Sequence, residues 1–332
     1  MKPVRVGVAG VGTWGEKHAR VYQAIPEATL VGVFDENAER SRSVAQQHGC
    51  AVFDSLDELL AEVEAVSVAV PTVAHRAMFE RVAKAGRHAL VEKPMAVTVE
   101  EADAMRAAAQ QAGVKLQIGQ VERFNPAFVA AAAHLKSARF VEAHRLALFQ
   151  PRSLDIDVVF DLMIHDIDLV LARVGESPAQ ISAVGVAVLS ENEDIANARL
   201  EFESGAVANL TASRVSQERL RRIRFFQDDA YVAIDLFEKT CDLLHVDVEQ
   251  LRRAAPFGLA AAMGAITRRR LPVDAGEPLT LELTAFLRSL RGEGTGAASA
   301  EAGREALAVA AEVRAAMKAR TRQWATHSSA VS

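Results

Sequence analysis

Across the first 120 residues, short valine-rich runs alternate with longer stretches rich in alanine, glutamate and arginine, and this alternation restricts the chain more than any other feature. Such a pattern predicts βαβ units built on a parallel sheet. Strands are expected at 4–9, 30–34, 65–70, 88–91 and 116–119, and helices at 16–24, 38–48, 55–62, 75–85 and 99–112. The order is that of a doubly wound sheet.

Gly10-Val11-Gly12-Thr13-Trp14-Gly15 falls between the first strand and the first helix. In that position the glycines permit a tight turn and let the backbone approach a pyrophosphate, while the helix N-terminus offers N–H groups to the anion. Asp35 stands twenty residues beyond Gly15 at the end of the second strand, where its carboxylate can accept from ribose hydroxyls. Its charge would repel a 2′-phosphate, which favours NAD over NADP, although Arg40 and Arg42 follow closely. Asp35 can equally begin the turn Asp35-Glu36-Asn37. Pro71-Thr72, after another strand, is either a nucleotide contact or a plain turn.

After Gln120 the character changes. Asn125-Pro126 pairs an N-cap residue with a first-turn proline and opens a helix to about 135. Alternating runs at 140–148, 181–189, 196–202, 206–213, 221–226 and 230–237 surround one helix at 158–174, and a last helix is expected at 300–320. The fold class expected is therefore an α/β Rossmann dinucleotide-binding domain, residues 1–120, followed by an α+β domain with a mostly antiparallel open-faced sheet, residues 121–320. Residues 321–332 are expected to form a flexible tail.

The 332 residues are half apolar and carry a formal charge of −5, so the chain lacks the basic surface that holds nucleic acid. Cys50 and Cys241 are far apart, with no metal-type spacing, and neither a disulfide framework nor a structural metal is expected. No apolar run is long enough for a membrane span, and the N-terminus reads as a strand rather than a secretory leader. A cytoplasmic protein with no membrane partner is expected.

Glu92-Lys93-Pro94 closes the strand ending in Val91, at the C-terminal end of the sheet strands where doubly wound folds place ligands. The Lys93 ammonium can bond a substrate hydroxyl and the developing carbonyl oxygen, with Glu92 holding the amine. Downstream, Asp161, His165 and Asp168 would share one face of an α-helix. A histidine beside a carboxylate suits a general base taking a proton from a secondary alcohol. Asp161 as an acidic first-turn residue, His165 as a core histidine, and metal binding remain open alternatives on the residues alone.

Gly10–Gly15, Asp35, Glu92-Lys93-Pro94 and Asp161-x-x-x-His165, in this order, resemble the glucose-fructose oxidoreductase, inositol dehydrogenase and MocA-type family over almost the whole chain. The resemblance implies an NAD-dependent oxidoreductase acting on a CH–OH group. Catalysis would fall to Lys93, Asp161 and His165, and cofactor contacts to Gly10, Gly12, Thr13, Trp14, Gly15, Asp35, Pro71, Thr72, His75, Glu92, Lys93 and Gln120. In place of the family's frequent Gly-Gly before the second-domain helix stands Val158-Val159-Phe160, and many relatives carry histidine where Gln120 stands.

The segments from Gly119 to Pro126, Pro151-Arg152-Ser153, Asp161 to Asp168 and Arg224-Phe225-Phe226-Gln227 look like the nucleotide-sugar branch. That branch implies oxidation of the C3 hydroxyl of a UDP-N-acetylhexosamine to a 3-keto sugar, for lipid A or other cell-envelope sugars. Lys93, Arg123, Asn125, Arg152 and His165 would contact the substrate, the arginines pairing with its diphosphate. Dehydrogenation of inositol or a free sugar, and a non-catalytic cofactor-sensing protein, are the rival readings. The second-domain sheet is expected to leave an apolar face that a homodimer or homotetramer buries.

Overall fold

The computed structural model describes residues 2–150, 156–254, 263–294 and 298–331, with side chains as far as Gln323. The chain forms two compact units. Met1–Phe124 joins Gly276–Ala308 in the first, and Asn125–Ala275 joins Val309–Ser332 in the second.

The first unit is built on six parallel strands: β1 (Val4–Ala9), β2 (Ala28–Phe34), β3 (Ala51–Val52), β4 (Ala65–Val68), β5 (His88–Glu92) and β6 (Leu116–Gly119). Their order in the sheet, β3-β2-β1-β4-β5-β6, reverses direction beside β1, which places the cofactor-type crevice at the ends of β1 and β4. Val6, Val8, Leu90 and Val91 are wholly buried, as expected of strands covered on both faces. The two-residue β3 was not anticipated, because a pairing of Gly32 with Ala51 and Val33 with Val52 is too short to mark the sequence.

Helix boundaries follow their caps. Asn37, Ser55 and Thr98 accept the N–H groups of Arg40, Glu58 and Glu101 and open the helices Ala38–His48, Leu56–Glu62 and Val99–Ala112. Gly49 and Gly113, both left-handed, end the first and third of these. The first helix, Thr13–Ala24, has no side chain capping it at Gly12, so its N-terminal donors are left to other acceptors.

Sequence patterning placed all of 121–320 in the second domain, whereas residues 276–308 group with the first unit. The helix Pro278–Leu290 carries Leu279, Leu283, Phe286 and Leu287 on one stripe, and they join the core of Val4, Val6, Val8 and Tyr22.

The second unit holds an eight-stranded sheet: β7 (Phe140–Leu148), β8 (Gln180–Val186), β9 (Ile195–Glu201), β10 (Val207–Ser216), β11 (Leu220–Phe226), β12 (Ala230–Asp235), β13 (Thr240–Val246) and β14 (Ile266–Arg270). The order is β14-β13-β12-β11-β7-β10-β9-β8, antiparallel except where β7 meets β10. β13, β14 and the helix Val248–Ala254 were not foreseen. On one face Val141, Ala143, Leu210, Ile223, Phe225, Val232 and Ile234 are buried.

The opposite face is not the apolar surface expected. Arg224 pairs with Glu142 at 3.1 Å, Arg222 with Asp235 at 3.1 Å and Arg270 with Asp242 at 3.0 Å, and Asn197 bonds Thr211. Alternation put the apolar residues on the covered face and left charged residues paired across strands on the other. The last helix, Ala300–Val331, runs through the segment expected to be a tail, and the Thr321 hydroxyl donates to the Met317 carbonyl at 3.1 Å within it. Among the described residues no helix is long and apolar enough to cross a membrane.

Candidate active site

Gly10 adopts φ +82°, and a Cβ on Gly15 would lie 1.8 Å from the Gly10 carbonyl oxygen. Glycine is therefore required at both positions for the loop to close against the first helix, whose first bond runs from Glu16 N–H to Gly12 O at 2.9 Å. Asp35 fastens the loop from the neighbouring strand. Its carboxylate accepts the Val11 N–H at 2.7 Å and the Asn37 N–H at 2.8 Å, and Arg40 stands 3.4 Å away. The turn role and the loop-facing role of Asp35 thus coexist.

Gly10, Gly12, Thr13, Trp14, Asp35 and Pro71 line one cleft of about 600 Å³, together with apolar Val70, Val73 and Met78. Glycine backbone, an uncapped helix start, an acidic strand end and an apolar wall suit a dinucleotide's pyrophosphate, ribose and adenine. Thr72 begins a 3-10 turn that Pro71 precedes, but it does not line this cleft. His75 is buried, with Pro94 O 3.0 Å from Nδ1 and Val70 O 2.9 Å from Nε2. Burial moves its pKa down, against two carbonyl oxygens and Glu92 that favour the imidazolium. Its position ties the loop after β4 to the loop after β5.

Glu92 ends β5 with Lys93 directly after it, and Glu92 pairs in register with Gly119 of β6, one residue before Gln120. Gln120 is buried and its carbonyl accepts the Arg123 N–H at 3.0 Å. Sequence reasoning missed what stands behind Glu92. The first helix turns Gly15, His18, Ala19 and Tyr22 inward at helical spacing, so two polar side chains enter the core. His18 Nε2 lies 2.9 Å from Glu92 Oε1, His18 Nδ1 lies 2.9 Å from Ser67 Oγ, and the Tyr22 hydroxyl lies 2.8 Å from the same Ser67 oxygen.

One assignment of hydrogens satisfies every member of this row. Tyr22 donates to Ser67, Ser67 donates to His18 Nδ1, and His18 Nε2–H donates to the Glu92 carboxylate. Burial pushes the Tyr22 hydroxyl well above its usual pKa, which keeps it a donor. Glu92 accepts the Lys93 N–H on its other oxygen at 3.2 Å. The signal for the row was in the sequence, a histidine and a tyrosine on the buried stripe of an otherwise ordinary helix, but its partner Ser67 is a strand residue that only the fold supplies.

In the second unit, Asp161 and His165 lie on one helical element whose first turn is wider than an α-turn: Val159–Met163 is a π-helix and Ile164–Val174 is α-helical. The face-sharing inferred from α-periodicity therefore applies within Ile164–Val174 to His165 and Asp168, while Asp161 belongs to the wider turn. π-turns of this kind recur at functional sites. Asp157 starts the element by accepting the Val159 and Phe160 N–H groups at 3.0 and 3.2 Å. Burial raises its pKa, in spite of those two donors.

His165 and Asp168 are buried. Asp166, between them, is tied to Arg145 of β7 by two bonds of 2.8 and 2.9 Å, a pair that fixes the helix to the sheet. Asp194 is a second buried anchor. Burial pushes its pKa up, but the N–H groups of Leu189 and Val188, the Arg214 guanidinium and the Ser190 hydroxyl outweigh it and hold the carboxyl well below its usual range.

Asn125 is an N-cap, as its sequence position implies. Its carbonyl accepts the Ala127 N–H and its amide donates to Leu236 O at 2.9 Å. Arg123 sits in the 3-10 turn Val121–Phe124 at the end of the first unit, and Arg152 lies outside the described residues. Among the described residues no group of three metal-ligating side chains occurs.

Residues 4–120 match the oxidoreductase family with an NAD-binding Rossmann fold, and residues 131–232 match the GFO/IDH/MocA C-terminal domain. The chain is 42% identical to the UDP-N-acetylglucosamine 3-dehydrogenase of Acidithiobacillus ferrooxidans, over 95% of this chain and 98% of that protein. A solved structure of that enzyme superposes with a TM-score of 0.86 at 41% identity, covering 96% of this chain and 99% of the other. An inositol 2-dehydrogenase of Rhizobium meliloti is 28% identical, over 64% of this chain and 69% of its own length.

Proposed function

Because this chain belongs to the GFO/IDH/MocA oxidoreductase family and carries its NAD-binding Rossmann fold, we propose that it oxidises the C3 hydroxyl of a UDP-N-acetylhexosamine, UDP-N-acetylglucosamine first among them, to the 3-keto sugar. The observation that carries this reading is 42% identity spread over 98% of a relative named for that reaction, set against 28% over 69% for an inositol dehydrogenase. NAD supplies the hydride acceptor. The glycine loop, Asp35 and the apolar wall of the 600 Å³ cleft would hold it.

Lys93 binds the reacting oxygen and stabilises the charge that develops on it. His165 accepts the hydroxyl proton, and Asp161 orients both. Arg123 and Arg152 contact the phosphate-bearing end of the substrate. Asn125 is already engaged by Ala127 and Leu236, which leaves positioning of the chain after Arg123 as its contribution.

The protein acts in the cytoplasm, as a homodimer or homotetramer, in supply of amino sugars for lipid A or another envelope polymer. Light scattering tests the assembly, and a monomer at micromolar concentration would refute it. NADH formation with a panel of UDP-sugars, free N-acetylglucosamine and inositols tests the reaction. Turnover of free polyols alone would refute the nucleotide-sugar reading, and no turnover of any of them would favour a cofactor-sensing role.

A further inference from the structure

The helical element that carries Asp161 begins with the wide turn Val159–Met163, a geometry rare inside helices. Contacts from two sides of the second unit fix this turn. On one side stands the loop of the buried Asp194. Arg214, paired with Asp194, donates to the Ile156 carbonyl at 2.8 Å, and the Glu193 carbonyl accepts the Val158 N–H at 3.0 Å. On the other side stands the last helix. Its Arg314 guanidinium lies over the Phe160 ring, 4.5 Å from the centroid, and Arg314 Nη1 is 4.0 Å from Asp157 Oδ2.

Both partners of Arg314 adjoin Asp161. Buried Phe160 directly precedes it, and the main-chain carbonyl of Asp157 accepts the Asp161 N–H at 3.2 Å. Asp157 Oδ1 accepts the Val159 and Phe160 N–H groups, so one carboxylate oxygen caps the turn while the other faces the arginine. The helix behind Arg314 is itself seated. Val313 and Met317 are wholly buried, and Met317 lies against Gly185 of β8, where a Cβ would come within 2.1 Å of the Met317 sulfur.

We propose that Arg314 is a positioning residue for the reaction: by stacking on Phe160 and facing Asp157 it sets the wide turn, and with it the direction of the Asp161 carboxylate. The assignment rests on the role given to Asp161 above. A guanidinium suits both tasks, because its planar face stacks on an aromatic ring while its N–H groups meet a carboxylate. Burial favours the neutral form of Asp157, and Arg314 acts with the Phe160 and Val159 N–H groups to favour the carboxylate that caps the turn. The Arg314 side chain is 40% exposed, so the pair adds little to stability and its loss should appear in the rate rather than in folding.

The test uses the full chain with NAD and UDP-N-acetylglucosamine, at temperatures well below the melting point of each variant. Arg314→Met keeps the length of the side chain and removes the charge. It is expected to lower kcat about 10-fold, with KM for both substrates within about 3-fold and the melting temperature nearly unchanged. Arg314→Lys returns a cation over the ring and should bring kcat to within about 3-fold of wild type. Phe160→Leu should lower kcat as Arg314→Met does, and the double variant should be no slower than the slower single one, because both changes release the same contact. Lys318→Met, which removes an exposed charge one turn further along the helix, should match wild type. A folded Arg314→Met protein with kcat within twofold of wild type overturns the assignment and leaves the nucleotide-sugar reading standing. Losses that simply multiply in the double variant, or an equal loss in Lys318→Met, overturn it as well. A wild-type protein that oxidises no UDP-sugar overturns both.

Discussion

His18→Leu should separate the row behind Glu92 from the rest of the site. Leucine is apolar and similar in bulk, so the cavity stays filled while two hydrogen bonds disappear, one to the Ser67 hydroxyl and one to the Glu92 carboxylate. A neutral bond of this kind contributes about 1 kcal/mol and one to a charged group about 1.5–3 kcal/mol, so the first unit should lose about 3 kcal/mol. For a unit of this size that lowers the melting temperature by about 6–12 °C. Glu92, 12% exposed, would also lose the donor that sets its orientation, and the Lys93 backbone is bonded to Glu92. A displacement of about 1 Å in a catalytic group costs up to about 100-fold, so kcat should fall about 10- to 100-fold. NAD affinity should change little, because His18 does not line the cleft of Gly10, Gly12 and Asp35. Rates at saturating substrate, measured well below the melting temperature, read this directly. His18→Gln keeps a donor in the place of Nε2 and should recover most of kcat, whereas His18→Asn, which reaches only toward Ser67, should not. A His18→Leu protein that melts lower but turns over within twofold of wild type would show that the row is structural packing alone.

Lys93→Ala should lower kcat about 100- to 10,000-fold with the melting temperature unchanged within about 2 °C, and an equal rate in the variant would refute its catalytic role. Asp35→Ser should raise KM for NAD about 10-fold and narrow the ratio of NAD to NADP activity, because the carboxylate that repels a 2′-phosphate is gone; steady-state kinetics with both cofactors decides. Asp194→Asn leaves the Arg214 guanidinium buried without its carboxylate and should cost about 3–5 kcal/mol in urea denaturation. Because the folded pKa of Asp194 is depressed, its contribution is complete above the unfolded value near about pH 3.9 and is lost as pH falls further toward the folded value. Wild-type stability should therefore decline through this group only below about pH 4, and the Asn variant should lack that component.

Much of the architecture was legible because local chemistry and fold agreed. The caps Asn37, Ser55 and Thr98 stand where the helices begin, and the glycine loop falls between strand and helix as its mechanism requires. The disagreements arose where the deciding interaction is not local. The helix Pro278–Leu290 carries an ordinary apolar stripe that does not say which core it joins, and it joins the first. The open face of the second sheet was expected to be apolar because periodicity reports alternation but not which cross-strand partners face each other; Arg224 and Glu142 are 82 positions apart and meet at 3.1 Å.

The sequence by itself determined the cofactor class and the kind of reaction, since Gly10 to Gly15, Asp35 and Glu92-Lys93-Pro94 stand at a strand-to-helix turn and at strand ends, positions that short motifs encode. Tertiary structure alone decided what supports them. His18, Ser67, Tyr22 and Glu92 come from a helix and two strands, and Arg314 meets Asp157 and Phe160, beside Asp161, only after the last helix has packed. Hydrogen bonds and charge pairing act over a few ångströms in space regardless of separation along the chain, so groups brought together by packing leave no spacing for a sequence to display.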